Sequence, residues 1–415
     1  MISEIKVLDL SDKRGIMCSK VLSGLGAQVI QVEPIAGSDA RMQGPFINDV
    51  PGIERSLYWH AYATDRRSMT LDLTLTRGRQ IFKDLVRRSD VVIESSDPGY
   101  LPSLNLGYSD LVKVKTDIIM ASVTPFGQTG PKSDYLATDL TGVALGGSMY
   151  LTGEKDRAPV RIGHSQQFWL LGGAAASAGV MIAAFHHSQT GEGQYIDVSC
   201  QQAVSRTLSH APQIWDLSGE NLSRNGAYRK IGNVSMRITY PCSDGEVSFF
   251  YPAGKVGARS MDGLAKWMSN EGVHEKAITN VDWSKFEFGT ISQEVLDDLE
   301  SALLKFFSNK TKSELSAGAV KFRVILFQLN SSEDLLNNAQ LRARGFWTPL
   351  NHPLESNNFR HSQLQHPGGF ASIDNFNLGP KALAPSLGQH TNQILYRELG
   401  YTETQIESLR LSHVI

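Results

Sequence analysis

The chain has 415 residues, with 40 Lys+Arg against 42 Asp+Glu and a formal net charge of -2, so it is long enough for two or three domains and offers no global attraction to nucleic acid or an anionic membrane surface. Charged residues at 20% and 37 glycines favour a turn-rich α/β enzyme over a disordered or coiled-coil chain. Cys18, Cys200 and Cys242 are odd in number and far apart, which leaves no disulfide framework or CxxC metal pair and fits a reducing compartment, the cytoplasm.

In chain order, Ile5–Leu10 (IKVLDL) reads as a first strand rather than a signal peptide, because Glu4 precedes it and no apolar stretch follows a basic start. A helix through Cys18–Leu25 stops at Gly26, and Gln28–Glu33 is the second strand. The pattern repeats with Ser68–Leu73, a helix near Arg77–Arg88 striped by Ile81, Phe82, Leu85 and Val86, and the buried strand Asp90–Glu94. A helix near Ser109–Lys115 and the strand Asp117–Val123 follow. Such alternation predicts right-handed βαβ units on a parallel sheet. Phe168–Phe185 carries no charge but is rich in Gly and Ala, so it reads as a buried helix that lets another backbone approach, not as a membrane span. Tyr195–Ser199 is strand-like. Residues 219–325 mix Lys/Glu-rich helices (VLDDLESALLKFF) with a strand around SDGEVSFF, a smaller α+β domain between two parts of a large one, 1–218 and 326–415. The helix Thr391–Leu399 closes the αβ pattern.

The common cofactor motifs are missing. GLGA at Gly24–Ala27 follows a helix and lacks a third glycine, so it is no dinucleotide fingerprint, and neither GxxxxGK[ST] nor HExxH occurs. Adjacent His186 and His187 cannot share a metal as an i, i+4 pair could, and Gly147-Ser148 lacks the flanking glycines of a nucleophile elbow. No metal site is expected.

A dispersed constellation remains: VLDL, GLGAQVIQVEP and GSDAR, then RRSMTLDL, DVVIESSDPG, FGQTGP, TDLTGVALGGSMYLTG and TGEGQYIDVS, then YPCSDGEVSF, NAQLRARGF, APSLGQHTNQIL and ELGY. Collinear over nearly the whole chain, these blocks resemble the family III CoA-transferases, the fold group that also contains α-methylacyl-CoA racemases. The resemblance implies a Rossmann-like large α/β domain built from both chain ends, a small middle domain, and two chains interlocked as a dimer. It also implies exchange of CoA between an acyl-CoA thioester and a free carboxylic acid through an aspartyl anhydride, with CoA as substrate and no tightly bound cofactor. By the resemblance the catalytic aspartate falls on Asp139.

Chemistry suits a carboxylate there, since a mixed anhydride keeps the acyl group activated while CoA changes partner, provided water is excluded. Gly142, Gly146 and Gly147 are candidate sources of backbone N–H groups for the oxyanion. The competing reading is that Asp139 caps a helix starting at Leu140. For the CoA phosphates the resemblance points to Arg41, Arg66 and Arg67, with Ser95, Ser96 and Gly99 beside the adenosine or pantetheine part. Singly, each arginine reads as a surface charge. Trp59, Tyr150, Phe168 and Trp169 would suit an apolar or aromatic acyl pocket, and equally a core.

Departures from the family pattern, several of them around the CoA edge, are Lys13-Arg14-Gly15-Ile16 in place of Ala-Gly-Pro, and Ala63, Asp97, Ser103 and Val143 where other residues are usual. With VRIGHSQQFW after the catalytic block, they resemble the branch holding one subunit type of the heteromeric benzylsuccinate CoA-transferases. A homodimer and a heterodimer with a related subunit both remain open. So does a subunit that keeps the fold and supports a catalytic partner. Racemisation lacks its parts: Thr138, not histidine, precedes Asp139, and no carboxylate lies between Asp156 and Glu192.

Overall fold

In the computed structural model, which describes residues 2–164, 166–289, 291–351 and 364–415, the apolar runs of the N-terminal half form one six-stranded sheet. Its strands are β1 (Lys6–Asp9), β2 (Gln28–Glu33), β3 (Arg66–Thr70), β4 (Val91–Glu94), β5 (Ile119–Thr124) and β6 (Tyr195–Ser199), in the order β3-β2-β1-β4-β5-β6. Every pairing is parallel. Because side chains alternate along a strand, neighbouring residues serve opposite faces: Leu8, Ile30, Val92 and Met120 pack with Ile81, Phe82, Ile394 and Leu409. Val7, Val29, Val91 and Ile119 pack with Cys18, Leu22, Phe168 and Val180. Burial on both faces is why these strands read as continuous apolar runs.

Strand order reverses between β1 and β4, and ligands of open α/β sheets bind at the carboxyl ends of the strands at such a switch point. β3 starts at Arg66, ahead of the predicted Ser68, and ends at Thr70. The end is set by Asp72, whose Oδ1 accepts the Thr74 N–H at 2.8 Å and turns the chain into the helix Thr76–Val86. The helix expected near Ser109–Lys115 is the single turn Tyr108–Leu111.

The small-residue helix runs Gln167–Thr190 and ends on Gly191 at φ 76°. It is long and apolar enough to cross a membrane, yet it lies against β5 and the helices Ile16–Gly24 and Cys200–Arg206. A Cβ on Gly172 would stand 2.2 Å from Cys200 Sγ, and one on Gly173 2.8 Å from Met17 Cβ. Small residues therefore set how closely those two helices approach, as the sequence implies.

The chain divides into two compact units, Met1–Met149 with Arg161–Glu220 and Ala339–Ile415, and Tyr150–Val160 with Asn221–Asn338. In the second unit Thr239–Cys242, Gly245–Phe249 and Leu326–Gln328 form an antiparallel sheet. Aromatic and aliphatic side chains from it (Tyr240, Val247, Phe249) pack with Trp267, Leu303 and Phe307 of its helices.

Candidate active site

Two adjoining clefts open at the switch point. One, of about 390 Å³, is lined by Asp12, Arg14, Ser38, Asp39, Ser95 and Ser96 among others. The second, of about 330 Å³, is lined by Pro34, Leu71, Asp72, Thr74, Ser96 and Tyr100. Leu10, Val32, Pro34 and Ser96 face both. Ser95 and Ser96, two of the candidate CoA contacts, therefore line the cleft. Ser95 Oγ donates to Asp12 Oδ1 at 3.0 Å, and the Ser96 N–H donates to Glu94 Oε2 at 2.6 Å. Gly99, at φ 85°, precedes the short helix Tyr100–Ser103, and a Cβ there would meet no neighbour.

The arginines differ from expectation. Arg41 is fully buried. Its Nε and Nη2 donate to the Glu33 carboxylate at 2.6 and 2.9 Å, Nη2 also reaches Pro385 O at 3.1 Å, and Nη1 reaches Glu54 at 3.3 Å. The guanidinium also stacks over Trp59 at 3.9 Å. Arg66 is sealed as well, with Nη1 on Gln31 and Asp9 at 2.7 and 3.3 Å. Glu33 and Asp9 are buried carboxylates at strand ends, and an unpaired charge there would be costly. A phosphate could meet Arg41 or Arg66 only by stripping those pairs, so in this conformation both arginines are interior counter-ions. Arg67 is half-buried and paired with Glu398. The cation that does line the cleft is Arg14, bonded to Asp12 and Asp97, while its neighbour Lys13 bonds the lining residue Asp39 at 2.8 Å. In the sequence they show only as departures from the usual loop.

Asp139 is the first residue of the helix Asp139–Leu145. The cap is Thr138, whose side chain accepts from the Thr141 N–H while Thr141 Oγ1 accepts from the Thr138 N–H, a reciprocal capping box. The reading of Asp139 as cap of a helix starting at Leu140 is thus corrected. Its side chain is free of the cap and turns to the first turn of the next helix and the segment before it: Oδ1 accepts the Phe168 N–H at 2.8 Å, and Oδ2 faces Arg161 Nη1 at 3.4 Å. Arg161 also donates to His164 O and is about one-third exposed, whereas Asp139 is 6% exposed.

The oxyanion donors expected from glycine are already spent. The N–H groups of Gly142, Gly146 and Gly147 donate to Thr138 O, Gly142 O and Ala144 O at 2.9, 2.8 and 3.1 Å. Gly142 and Gly146 serve packing instead, since a Cβ would stand 2.4 Å from the Phe168 ring and 2.5 Å from Val204. Phe168, Trp169 and Trp59 belong to the core, and Tyr150 is exposed.

One buried hydroxyl has no partner. Tyr58, on the helix Leu57–Tyr62, buries its Oη without a hydrogen bond. Burial, together with Tyr62, Asp12 and Asp139, pushes its phenol pKa up, so the hydroxyl stays protonated. No group of three or more His, Cys, Asp or Glu able to hold a metal occurs among the described residues.

Comparison with known proteins agrees with this architecture. Residues 2–391 match CoA-transferase family III. The chain is 33% identical over 408 residues, 98% of this chain and 96% of the relative, to the succinyl-CoA:(R)-benzylsuccinate CoA-transferase subunit BbsE of Thauera aromatica. It is 29% identical over 419 residues to the succinyl-CoA–D-citramalate CoA-transferase of Chloroflexus aurantiacus, covering 100% of this chain and 98% of that one. The crystal structure of a CAIB/BAIF family protein from Brucella suis superposes with a TM-score of 0.78 at 28% identity, over 94% of this chain and 97% of the other. With a parallel sheet of this order and a sequence match over nearly its whole length, the chain belongs to CoA-transferase family III, enzymes that move CoA between acyl-CoA thioesters and carboxylic acids.

Proposed function

We propose that this chain exchanges CoA between a dicarboxylic acyl-CoA and an acid with an apolar or aromatic part, with Asp139 as nucleophile. The relatives named for succinyl-CoA and benzylsuccinate support the substrate class. The carrying observation is the split environment of Asp139: Oδ1 is fixed by a backbone amide, while Oδ2, among the described residues, meets a partly exposed arginine at 3.4 Å. When Arg161 swings away, Oδ2 attacks the thioester carbonyl carbon. The new C–O bond forms, the C–S bond breaks, and CoA leaves as thiolate into the switch-point cleft with the acyl group held as anhydride. The thiolate then attacks the aspartyl carbonyl, releasing the first acid, and the second acid enters by the reverse steps. We further propose a dimer of interlocked chains, formed with a second copy or with a related subunit, in a reducing cytoplasm suited to three free cysteines.

A second reading is favoured by one observation. Both Asp139 oxygens are engaged and the residue is almost wholly buried, as suits a tie between the helix Asp139–Leu145 and the segment after Arg161. Under that reading this chain supports a partner subunit that carries the nucleophile. Asp139→Asn in the enzyme as it assembles, with circular dichroism and hydroxylamine trapping, separates the two. Exchange lost by several orders of magnitude with the fold intact, and a hydroxamate on the wild-type peptide containing Asp139, supports the nucleophile. Near-normal exchange, or loss of the fold, supports the tie.

A further inference from the structure

We infer that Arg14 is the cation that receives a phosphate of the CoA nucleotide, and that Asp97 competes with that phosphate for the same guanidinium edge. The inference rests on the exchange reading above, through CoA binding, and not on which residue is the nucleophile. A phosphate can recruit a cation only if the carboxylate it displaces returns to water at small cost. Arg41 and Arg66 fail that condition, because the Glu33 and Asp9 side chains are fully buried and a buried carboxylate stripped of its partner is strongly destabilising. Arg14 meets it. Its Nη1 donates to Asp97 Oδ1 at 2.8 Å, and the Asp97 side chain is 63% exposed, so this is a surface ion pair that contributes little in water.

The rest of the guanidinium is held in place. Its Nε meets both Asp12 carboxylate oxygens at 3.1 Å, and Nη2 meets Asp12 Oδ2 at 3.0 Å. Asp12 is fixed in turn by Ser95: the Asp12 N–H donates to Ser95 Oγ at 3.0 Å, and Ser95 Oγ donates to Asp12 Oδ1 at 3.0 Å. These bonds join the loop after β1 to the loop after β4, the two strands between which the strand order reverses. Arg14, Asp12, Ser95 and Ser96 line one cleft of about 390 Å³. A guanidinium anchored along one edge and able to change partner on the other suits a phosphate oxygen, which accepts charge-assisted hydrogen bonds. The exchange moves no proton and breaks no covalent bond: Nη1 turns from Asp97 to the ligand, and Asp97 turns to water. On the β2 side of the same loop, Lys13 pairs with the lining residue Asp39, whose side chain is 56% exposed, a second displaceable pair. As the cleft stands, the carboxylates of Asp12, Asp39 and Asp97 outnumber the cations Lys13 and Arg14, so a polyanion enters against net negative charge. Arg14 sits in the loop that departs from Ala-Gly-Pro, which makes this arrangement a property of this chain rather than of the family pattern.

The test compares Arg14→Gln and Asp97→Asn in the assembled enzyme, with two thioesters of one dicarboxylic acid: that of CoA and that of pantetheine, which lacks the nucleotide phosphates. Arg14→Gln should raise KM for the CoA thioester by ~10–100-fold, the effect of losing a hydrogen bond to a charged group. It should leave kcat/KM for the pantetheine thioester within about twofold of wild type, since no phosphate is there to be missed. Asp97→Asn should lower KM for the CoA thioester by ~2–5-fold, and that gain should vanish when Arg14→Gln is also present. Equal losses with both thioesters overturn the assignment, because Arg14 then holds the loop or meets the acyl carboxylate. Unchanged kinetics with the CoA thioester overturn it as well. Calorimetry with adenosine 3′,5′-bisphosphate reads Arg14 apart from turnover. Binding weakened about tenfold or more in Arg14→Gln supports the assignment even if the wild type exchanges no thioester, a result that sinks the exchange reading alone. Binding equal to that of wild type overturns it.

Discussion

Replacing Arg41 with methionine separates a CoA ligand from an interior counter-ion. The guanidinium is fully buried and makes contacts to Glu33 at 2.6 and 2.9 Å, to Pro385 O at 3.1 Å and to Glu54 at 3.3 Å. Glu33 is buried too, and besides Arg41 it accepts only uncharged donors, the Ser38 N–H at 3.1 Å and Ser68 Oγ at 2.7 Å. Methionine restores much of the volume against Trp59 but leaves the carboxylate without the guanidinium bonded to it, which costs about 3–5 kcal/mol when one partner of a buried pair is removed. In a chain of this size that corresponds to a fall of ~3–6 °C in the unfolding midpoint. Differential scanning fluorimetry reads the shift, and calorimetry well below the transition reads CoA-thioester affinity, which should be nearly unchanged. The double variant Arg41→Met/Glu33→Gln should recover part of the loss, because the buried carboxylate stripped of its partner is then gone. An unchanged midpoint together with affinity weakened tenfold or more would refute this reasoning and return Arg41 to the phosphates.

Gly142→Ala should destabilise the first unit by about 1–3 kcal/mol, because the added Cβ meets the Phe168 ring at 2.4 Å. Since the Phe168 amide aims Asp139, exchange should fall with it, and unchanged melting and exchange would show the ring free to move. His366 carries a pH signature: burial, with Lys20 and His60 nearby, lowers its pKa from 6.5 to about 4. Its stabilising contribution is complete above pH 6.5 and is lost as pH falls towards 4, because over that window the unfolded chain takes a proton the folded one resists. Urea midpoints at pH 7 and pH 4.5 should therefore diverge more in wild type than in His366→Leu, and equal divergence would rule the residue out as a source.

The central sheet is legible because burial on both faces leaves β-branched runs such as VVIE and IMASV with no other good home. Helix limits are legible where a glycine at positive φ punctuates them, as Gly26 does after the helix Ile16–Gly24. The start at Asp139 misleads because Thr138 and Asp139 are both cap-forming residue types, and only the Thr138–Thr141 exchange shows which acts. Arg41 and Arg66 misread for a more general reason. A buried ion pair is two charged letters far apart in the chain, Glu33 with Arg41 and Asp9 with Arg66, and each letter alone looks like surface. Tyr58 is invisible in sequence, since its distinguishing property is a missing partner. Nor does the pattern reveal that Tyr150–Val160 packs with Asn221–Asn338, because a short turn-rich stretch carries no periodicity to assign it.

Much of the polar interior around β3 is completed by one short stretch near residue 380–391. Pro385 O accepts from both Arg41 and Trp59, Thr391 Oγ1 accepts from the Thr70 N–H, and His390 Nδ1 accepts from the Ser68 N–H. The Lys381 and Ala382 N–H groups both close onto Asp65. During synthesis the first βα repeats emerge long before this stretch does, so the nascent sheet waits with its edge strand and its charged pairs half finished. Its early repeats are thus exposed to chaperones and proteases until residue 391 has cleared the ribosome, and proteolytic protection in arrested nascent chains should rise late and abruptly rather than strand by strand.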